Sequence, residues 1–133
     1  MMRVRREAYE TMLAHAREGA PEEVVGVLVG RRDPDRVTRV ERAHNAADTP
    51  RTRYAIAPTE QVELLDTIEA AGDEVVGFYH SHPAGPAEPS ATDEERAAWP
   101  GHVYAILSLA GEPSLGAWRW TGTAFDPVTV TVD

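Results

Sequence analysis

Gly77-Phe78-Tyr79-His80-Ser81-His82-Pro83, followed after six residues by Ser90-Ala91-Thr92-Asp93, is the stretch from which the fold is read. Val75–His80 is a strongly apolar run of the kind that forms a buried β-strand, and Pro83 ends it. Side chains two apart on a strand point the same way, so the imidazoles of His80 and His82 can converge on one ion. His82–Pro89, rich in Pro, Gly and Ala, reads as a loop, and Ser90–Ala98 as a helix. The loop is long enough for Asp93, in the first turn of that helix, to fold back onto the histidines. Two His and one carboxylate leave a fourth position for water, the donor set of a hydrolytic zinc site, where bound water has a pKa of roughly 7. Ser-x-x-Asp at a helix start also reads as a capping box, in which Ser90 accepts the N3 backbone N–H. Both readings suit Asp93. For Ser90 they compete, because its hydroxyl either caps the helix or points to the metal.

Upstream, Arg5–Glu18 reads as a helix with Tyr9, Met12, Leu13 and Ala16 on one face, ended by Gly19 and Pro21. Glu23–Arg31 reads as a strand, Arg31–Asp35 as a turn and Val37–Arg42 as a half-exposed strand. His44–Arg53 is a polar loop, with a short strand expected at Tyr54–Ile56. Thr59 is a candidate N-cap for a helix to about Ala71, which Gly72 stops. Val62, Leu65, Ile68 and Glu69 give that helix a mixed face. Downstream, Val103–Leu109, Leu115–Trp120 and Val128–Val132 read as strands. The expected architecture is α/β, one domain over residues 1–133, with a mixed sheet sandwiched by helices.

A zinc hydrolase also needs a carboxylate to take a proton from the attacking water and return it to the leaving amine. Glu23, at the head of the apolar run Val24–Val29, is the candidate. By composition alone, Glu22 and Glu23 also read as solvated turn residues.

The balance of 22 acidic against 13 basic residues gives a net charge of −9, which disfavours a nucleic-acid partner. No apolar run is long enough for a membrane span, and no apolar segment follows the basic N-terminus, so a cytoplasmic protein is expected. With no cysteine there is no thiol nucleophile, disulfide or Cys-bound zinc. All the basic residues are arginine, which suits codon bias or adaptation to high salt. A chain without lysine has only its N-terminal amine as an acceptor for protein modifiers.

His80-Ser81-His82-Pro83, the six-residue gap and Ser90-Ala91-Thr92-Asp93 resemble the His-x-His-Pro-x6-Ser-x-x-Asp signature of the JAMM/MPN-plus metallopeptidase family. Glu23-Val24-Val25-Gly26-Val27-Leu28-Val29-Gly30 resembles the family's Glu-x-x-Gly-Leu-Leu-x-Gly stretch, in a register that selects Glu23 over Glu22. The resemblance covers Arg5 to about Leu109. It implies one zinc held by His80, His82 and Asp93, with Glu23 as general acid/base. It also implies Ser90 assisting at the oxyanion, and Ser81 holding ligand geometry by hydrogen bonding. The implied fold is an α-β-α sandwich like that of cytidine deaminases, whose own Cys-based zinc signature this chain lacks.

The chain looks like a minimal prokaryotic member without long insertions. The resemblance then implies cleavage after the C-terminal Gly-Gly of ubiquitin-like modifiers on lysine, as in archaeal desampylation. Such tails often add to a sheet edge, and Asn45–Ile56 is a candidate wall of the groove. Two other functions fit the same residues. One is release of an amino acid from a sulfur-carrier protein's C-terminus. The other is a non-catalytic scaffold for ubiquitin-like proteins, disfavoured by a full set of ligands and base.

Overall fold

The computed structural model describes all residues, Met1–Asp133. The elements run β1 (Met2–Val4), α1 (Arg6–Gly19), β2 (Val25–Arg31), β3 (Asp35–Ala43), α2 (Pro58–Ala70), β4 (Glu74–His82), α3 (Ala91–Arg96), β5 (Val103–Ser108), β6 (Ser114–Trp120), β7 (Phe125–Val128) and β8 (Val130–Val132). Eight strands form one mixed sheet in the order β7-β6-β5-β4-β2-β3-β1-β8. The apolar strands β2, β4 and β5 lie at its centre. β4 is antiparallel to β2 and parallel to β5. Such near-continuous apolar runs suit strands covered on both faces.

Two apolar clusters lie one on each face. On one, Ala8, Met12 and Ala16 of α1 pack on Leu28, Val76, Tyr79, Val103 and Leu107. Their spacing of four residues makes a single helical stripe, flanked by the half-buried Tyr9 and Leu13. On the other, Ile68 of α2 packs on Val27, Val29, Phe78 and Tyr104. The expected sheet with helices on both faces is therefore present.

Several boundaries differ from expectation. β4 runs through His82 and stays paired with β5 as far as Ser108, so His82, expected to open the loop, sits inside the sheet with His80. Tyr54–Ile56 forms no strand. Asn45 holds this segment through its own side chain, accepting the Ala55 N–H and donating to the Arg53 carbonyl. The helix α2 starts at Pro58, whose fixed φ suits the first turn, so Thr59 lies inside it and caps nothing. Leu64 and Ile68 form its buried face, while Val62 points to solvent. α3 ends at Arg96, short of Ala98.

Val128–Val132 is two strands. β7 pairs with β6 at one edge of the sheet, and β8 pairs with β1 at the other. Only Thr129 separates them, and its carbonyl accepts the Met2 N–H. Two residues of chain span about 7 Å at most, so the sheet must curl until its edges nearly meet there. β1, where a merely basic N-terminus was expected, is what β8 docks on.

Candidate metal centre

β4 delivers the two histidines. Phe78, His80 and His82 alternate onto the face that carries α2, and Pro83 then turns the chain away. The loop 83–90 brings α3 back over this face, and Ser90 caps it. Ser90 Oγ accepts the Asp93 N–H at 3.1 Å, and the Ser90 N–H donates to Asp93 Oδ2 at 2.9 Å. This is the reciprocal capping box, and it aims the Asp93 carboxylate at the histidines.

His80 Nε2 and His82 Nε2 lie 3.1 Å apart, and Asp93 Oδ2 lies 3.2 Å and 3.1 Å from them. The three atoms form a nearly equilateral triangle. Ligand atoms about 2.0–2.1 Å from a tetrahedral zinc are separated by roughly 3.3 Å, so the triangle matches one face of such a shell. Proton accounting points the same way. The Pro86 carbonyl lies 2.8 Å from His82 Nδ1 and accepts its hydrogen. The neutral ring then presents a lone pair at Nε2, directly against an anionic oxygen. Two lone pairs in contact require a cation between them. A second proton on His82 meets the same demand. Burial opposes that charge, yet hydrogen bonding to Asp93 and to Pro86 raises the His82 pKa. His80 is fully enclosed, and burial lowers its pKa despite Asp93. Burial also opposes ionisation of Asp93, but its bonds to His80 and His82 hold the carboxyl far below the ordinary range.

Glu23 joins this group. Its carboxylate, the two imidazoles and Asp93 bring one ligand atom each to within 4.8 Å of one another, and all four residues are buried. Glu23 is 7% exposed, so it is not a solvated turn residue. It lies just before β2, between Pro50, which accepts its N–H at 2.7 Å, and Asn45, which donates to its carbonyl at 2.8 Å. Its side chain stands outside the hydrogen-bonded triangle, and Oε1 is buried without a partner. Burial is the main cause that raises its pKa from 4.5 to about 7, with His82 opposing and Asp93 adding to the rise. A buried carboxyl with no hydrogen-bond partner is free to take up and return a proton.

Ser81 points to the opposite side from the histidines. Its Oγ accepts the Val24 N–H at 2.9 Å, and its own N–H donates to the Val24 carbonyl at 3.1 Å. It therefore pins β4 to the residue after Glu23, and makes no direct bond to a histidine. At Ser90 the two expected roles do not exclude each other: the cap uses an oxygen lone pair, and the hydroxyl hydrogen remains free to donate.

Three contributors were not foreseen. The Tyr54 ring stacks on His80 with centroids 4.2 Å apart and planes 16° from parallel. Asn45 ties the 44–55 segment to Glu23, and the Pro86 carbonyl sets the His82 tautomer. Each depends on a loop path that no periodicity encodes, although an Asn in a polar loop is a familiar turn-maker.

Residues 5–121 match the family described as prokaryotic homologs of the JAB domain. The chain belongs to this family, whose fold is the JAB1/MPN fold of the JAMM peptidases. Among JAB relatives, a protein named desampylase from Haloferax volcanii is 48% identical over 131 residues, covering 96% of this chain and 93% of the relative. A CysO-cysteine peptidase from Mycobacterium tuberculosis is 37% identical over 105 residues, covering 79% of this chain and 71% of the relative. The solution structure of a Desulfitobacterium hafniense protein superposes with a TM-score of 0.90 at 34% identity, covering 100% of this chain and 93% of that one. A metal-binding JAB site thus has its ligand-type residues assembled here, and the helices include none long and apolar enough to cross a membrane.

Proposed function

We propose that this chain is a zinc-dependent isopeptidase that cleaves after the C-terminal Gly-Gly of a ubiquitin-like modifier joined to lysine. One observation carries the reading. His80, His82 and Asp93 present a triangle of ligand atoms of the size a metal ion takes, beside a buried carboxyl, Glu23, that belongs to no hydrogen bond. The identity to the Haloferax volcanii desampylase supports the substrate class. His80, His82 and Asp93 hold one zinc. When bound, it supplies Lewis acidity toward a scissile carbonyl and toward water.

The chain's own groups do the rest. Glu23 accepts a proton from the attacking water and returns it to the departing lysine amine. Ser90 donates its spare hydrogen to the oxygen of the tetrahedral intermediate. Ser81, through Val24, keeps Glu23 in register with the histidines.

Incubation of zinc-loaded protein with a lysine-linked modifier conjugate and with a sulfur-carrier protein bearing a C-terminal cysteine tests the assignment. Release of free modifier from the conjugate is the expected result. Cleavage of the cysteine adduct alone would support the second reading, release of an amino acid from a carrier protein, which the identity to the CysO-cysteine peptidase favours. Metal-independent binding with no cleavage of either would identify a scaffold.

A further inference from the structure

The surface beside the metal centre gathers arginines on an otherwise acidic protein. Among thirteen arginines on a molecule of net charge −9, Arg3, Arg31, Arg39, Arg42 and Arg119 pair with carboxylates. Arg6 and Arg32 bond backbone carbonyls, and Arg5, Arg17, Arg36, Arg51, Arg53 and Arg96 pair with no carboxylate; of these six, Arg53 and Arg96 share a cleft, and Arg51 lines the opening beside Glu23. The cleft of Arg53 and Arg96, about 600 Å³, lies between residues 46–55 and α3, and Asp48 is its one acidic residue. Two guanidiniums without a carboxylate partner in one concavity focus positive potential there and present a site for an anion.

The cleft leads to the metal centre. It shares Ala55 and Arg96 with an adjoining apolar cavity of about 260 Å³ that Tyr54, Phe78 and Trp99 help to line. Tyr54 stacks on His80. It also shares Thr52 with the opening that exposes Glu23, His82 and Ser90. Arg53 and Arg96 therefore line one approach to the metal centre.

We propose that this cleft binds an acidic segment of the modifier, the residues just upstream of its Gly-Gly tail, with Arg53 and Arg96 as the groups that recognise it. This rests on the isopeptidase reading. An enzyme that releases one modifier from many lysines meets a different sequence on the lysine side each time. Built recognition therefore belongs on the modifier side, which is constant. Guanidinium groups suit the task because each can grip a carboxylate through two parallel N–H bonds. The recognition acts on binding and encounter more than on the chemical step.

Two fluorescein-labelled decapeptides ending in Gly-Gly test it, one with Asp and Glu at the four positions before the glycines, the other with Asn and Gln. Fluorescence anisotropy with zinc-loaded wild-type protein at low salt should show the acidic peptide bound roughly tenfold more tightly. Arg53→Gln/Arg96→Gln should abolish the preference while retaining zinc. Arg53→Gln alone, on an exposed loop, should halve its logarithm and serves if the double variant does not fold. Equal affinity of wild type for both peptides, or an undiminished acidic preference in the variants, overturns the proposal. The measurement needs no turnover, so failure to cleave a conjugate would sink the isopeptidase reading without imitating either outcome.

Discussion

Glu23→Gln removes a charge from surroundings hostile to it while keeping the shape of the side chain. In chelated protein, burial raises the Glu23 pKa from 4.5 to about 7. The folded state therefore holds this proton over a range in which the unfolded chain has lost it. Between about pH 4.5 and pH 7 the native state binds more protons than the unfolded state, so this carboxyl makes stability fall as pH rises, with the full penalty present above about pH 7. At about 1.36 kcal/mol per pH unit the penalty is roughly 3 kcal/mol at most, and about 2 kcal/mol once water reaching the cleft-facing oxygen is allowed for. Glutamine carries the same unpartnered buried oxygen, so that cost cancels in the comparison. The variant should thus be more stable than wild type at pH 8 by about 2 kcal/mol, a rise in melting temperature of roughly 7 °C for a chain of this length. At pH 5 the gain should fall below about 1 kcal/mol. With zinc bound, the same variant should keep its metal and lose about 10²–10⁴ in turnover. Urea titrations at the two pH values, zinc content and a cleavage assay read all three quantities. A variant no more stable than wild type at pH 8 would mean that the carboxylate is already solvated or paired. Glu23 would then not be a poised proton carrier.

The other expectations concern the neighbours. His80→Ala, His82→Ala and Asp93→Ala should each abolish stoichiometric zinc binding, measured by elemental analysis after dialysis; retention of the metal by any one would remove that residue from the ligand set. Adding zinc to chelated wild type at about a thousand times its Kd should stabilise it by about 4 kcal/mol, and Asp93→Ala should lose that increment in a thermal melt. Ser90→Ala should cost about 1 kcal/mol through loss of the cap while retaining metal, and should slow turnover about 100-fold. Turnover at the wild-type rate would leave Ser90 with the helix cap alone. Gly77→Ala should cost about 3 kcal/mol or more in chemical denaturation, since a Cβ there runs into the Val103 backbone between the central strands; an ordinary melt would contradict the tight β4–β5 contact.

What the sequence made legible follows from what is local. Alternation along a strand put His80 and His82 on one face, and the capping signature placed Asp93 in a first turn; both are matters of a few adjacent residues. The fate of Val128–Val132 was not local. One apolar run divides at Thr129 because its halves pair with strands at opposite edges of a curled sheet, and nothing within the run distinguishes this from a continuous strand. Glu23 lies between these cases. Its neighbours in sequence, Glu22 and Val24, do not tell whether it is solvated. It is buried because Pro50 and Asn45, from a loop more than twenty residues later, close over its backbone. Tyr54 was expected in a short strand of its own; its ring instead covers a histidine.

The construction of the centre explains why its residues are better suited to a metal than to one another. His82 is fixed by Pro86 in the tautomer that turns a lone pair toward Asp93, and Glu23 keeps an oxygen away from every donor. Without a metal, His82 has to take up a second proton to face Asp93, and the unpartnered Glu23 oxygen costs folding free energy. A divalent cation reverses the balance: it accepts the lone pairs of His80, His82 and Asp93 at once, and its charge favours the ionised form of Glu23. Metal occupancy and stability should therefore be coupled most strongly at the residues that are unfavourable without it. Chelation should accordingly lower the melting temperature of wild type by more than that of Glu23→Gln, because only wild type must then carry an uncompensated carboxylate. Equal losses in the two proteins would show that Glu23 does not sense the metal, and would remove it from the reacting groups whatever its pKa.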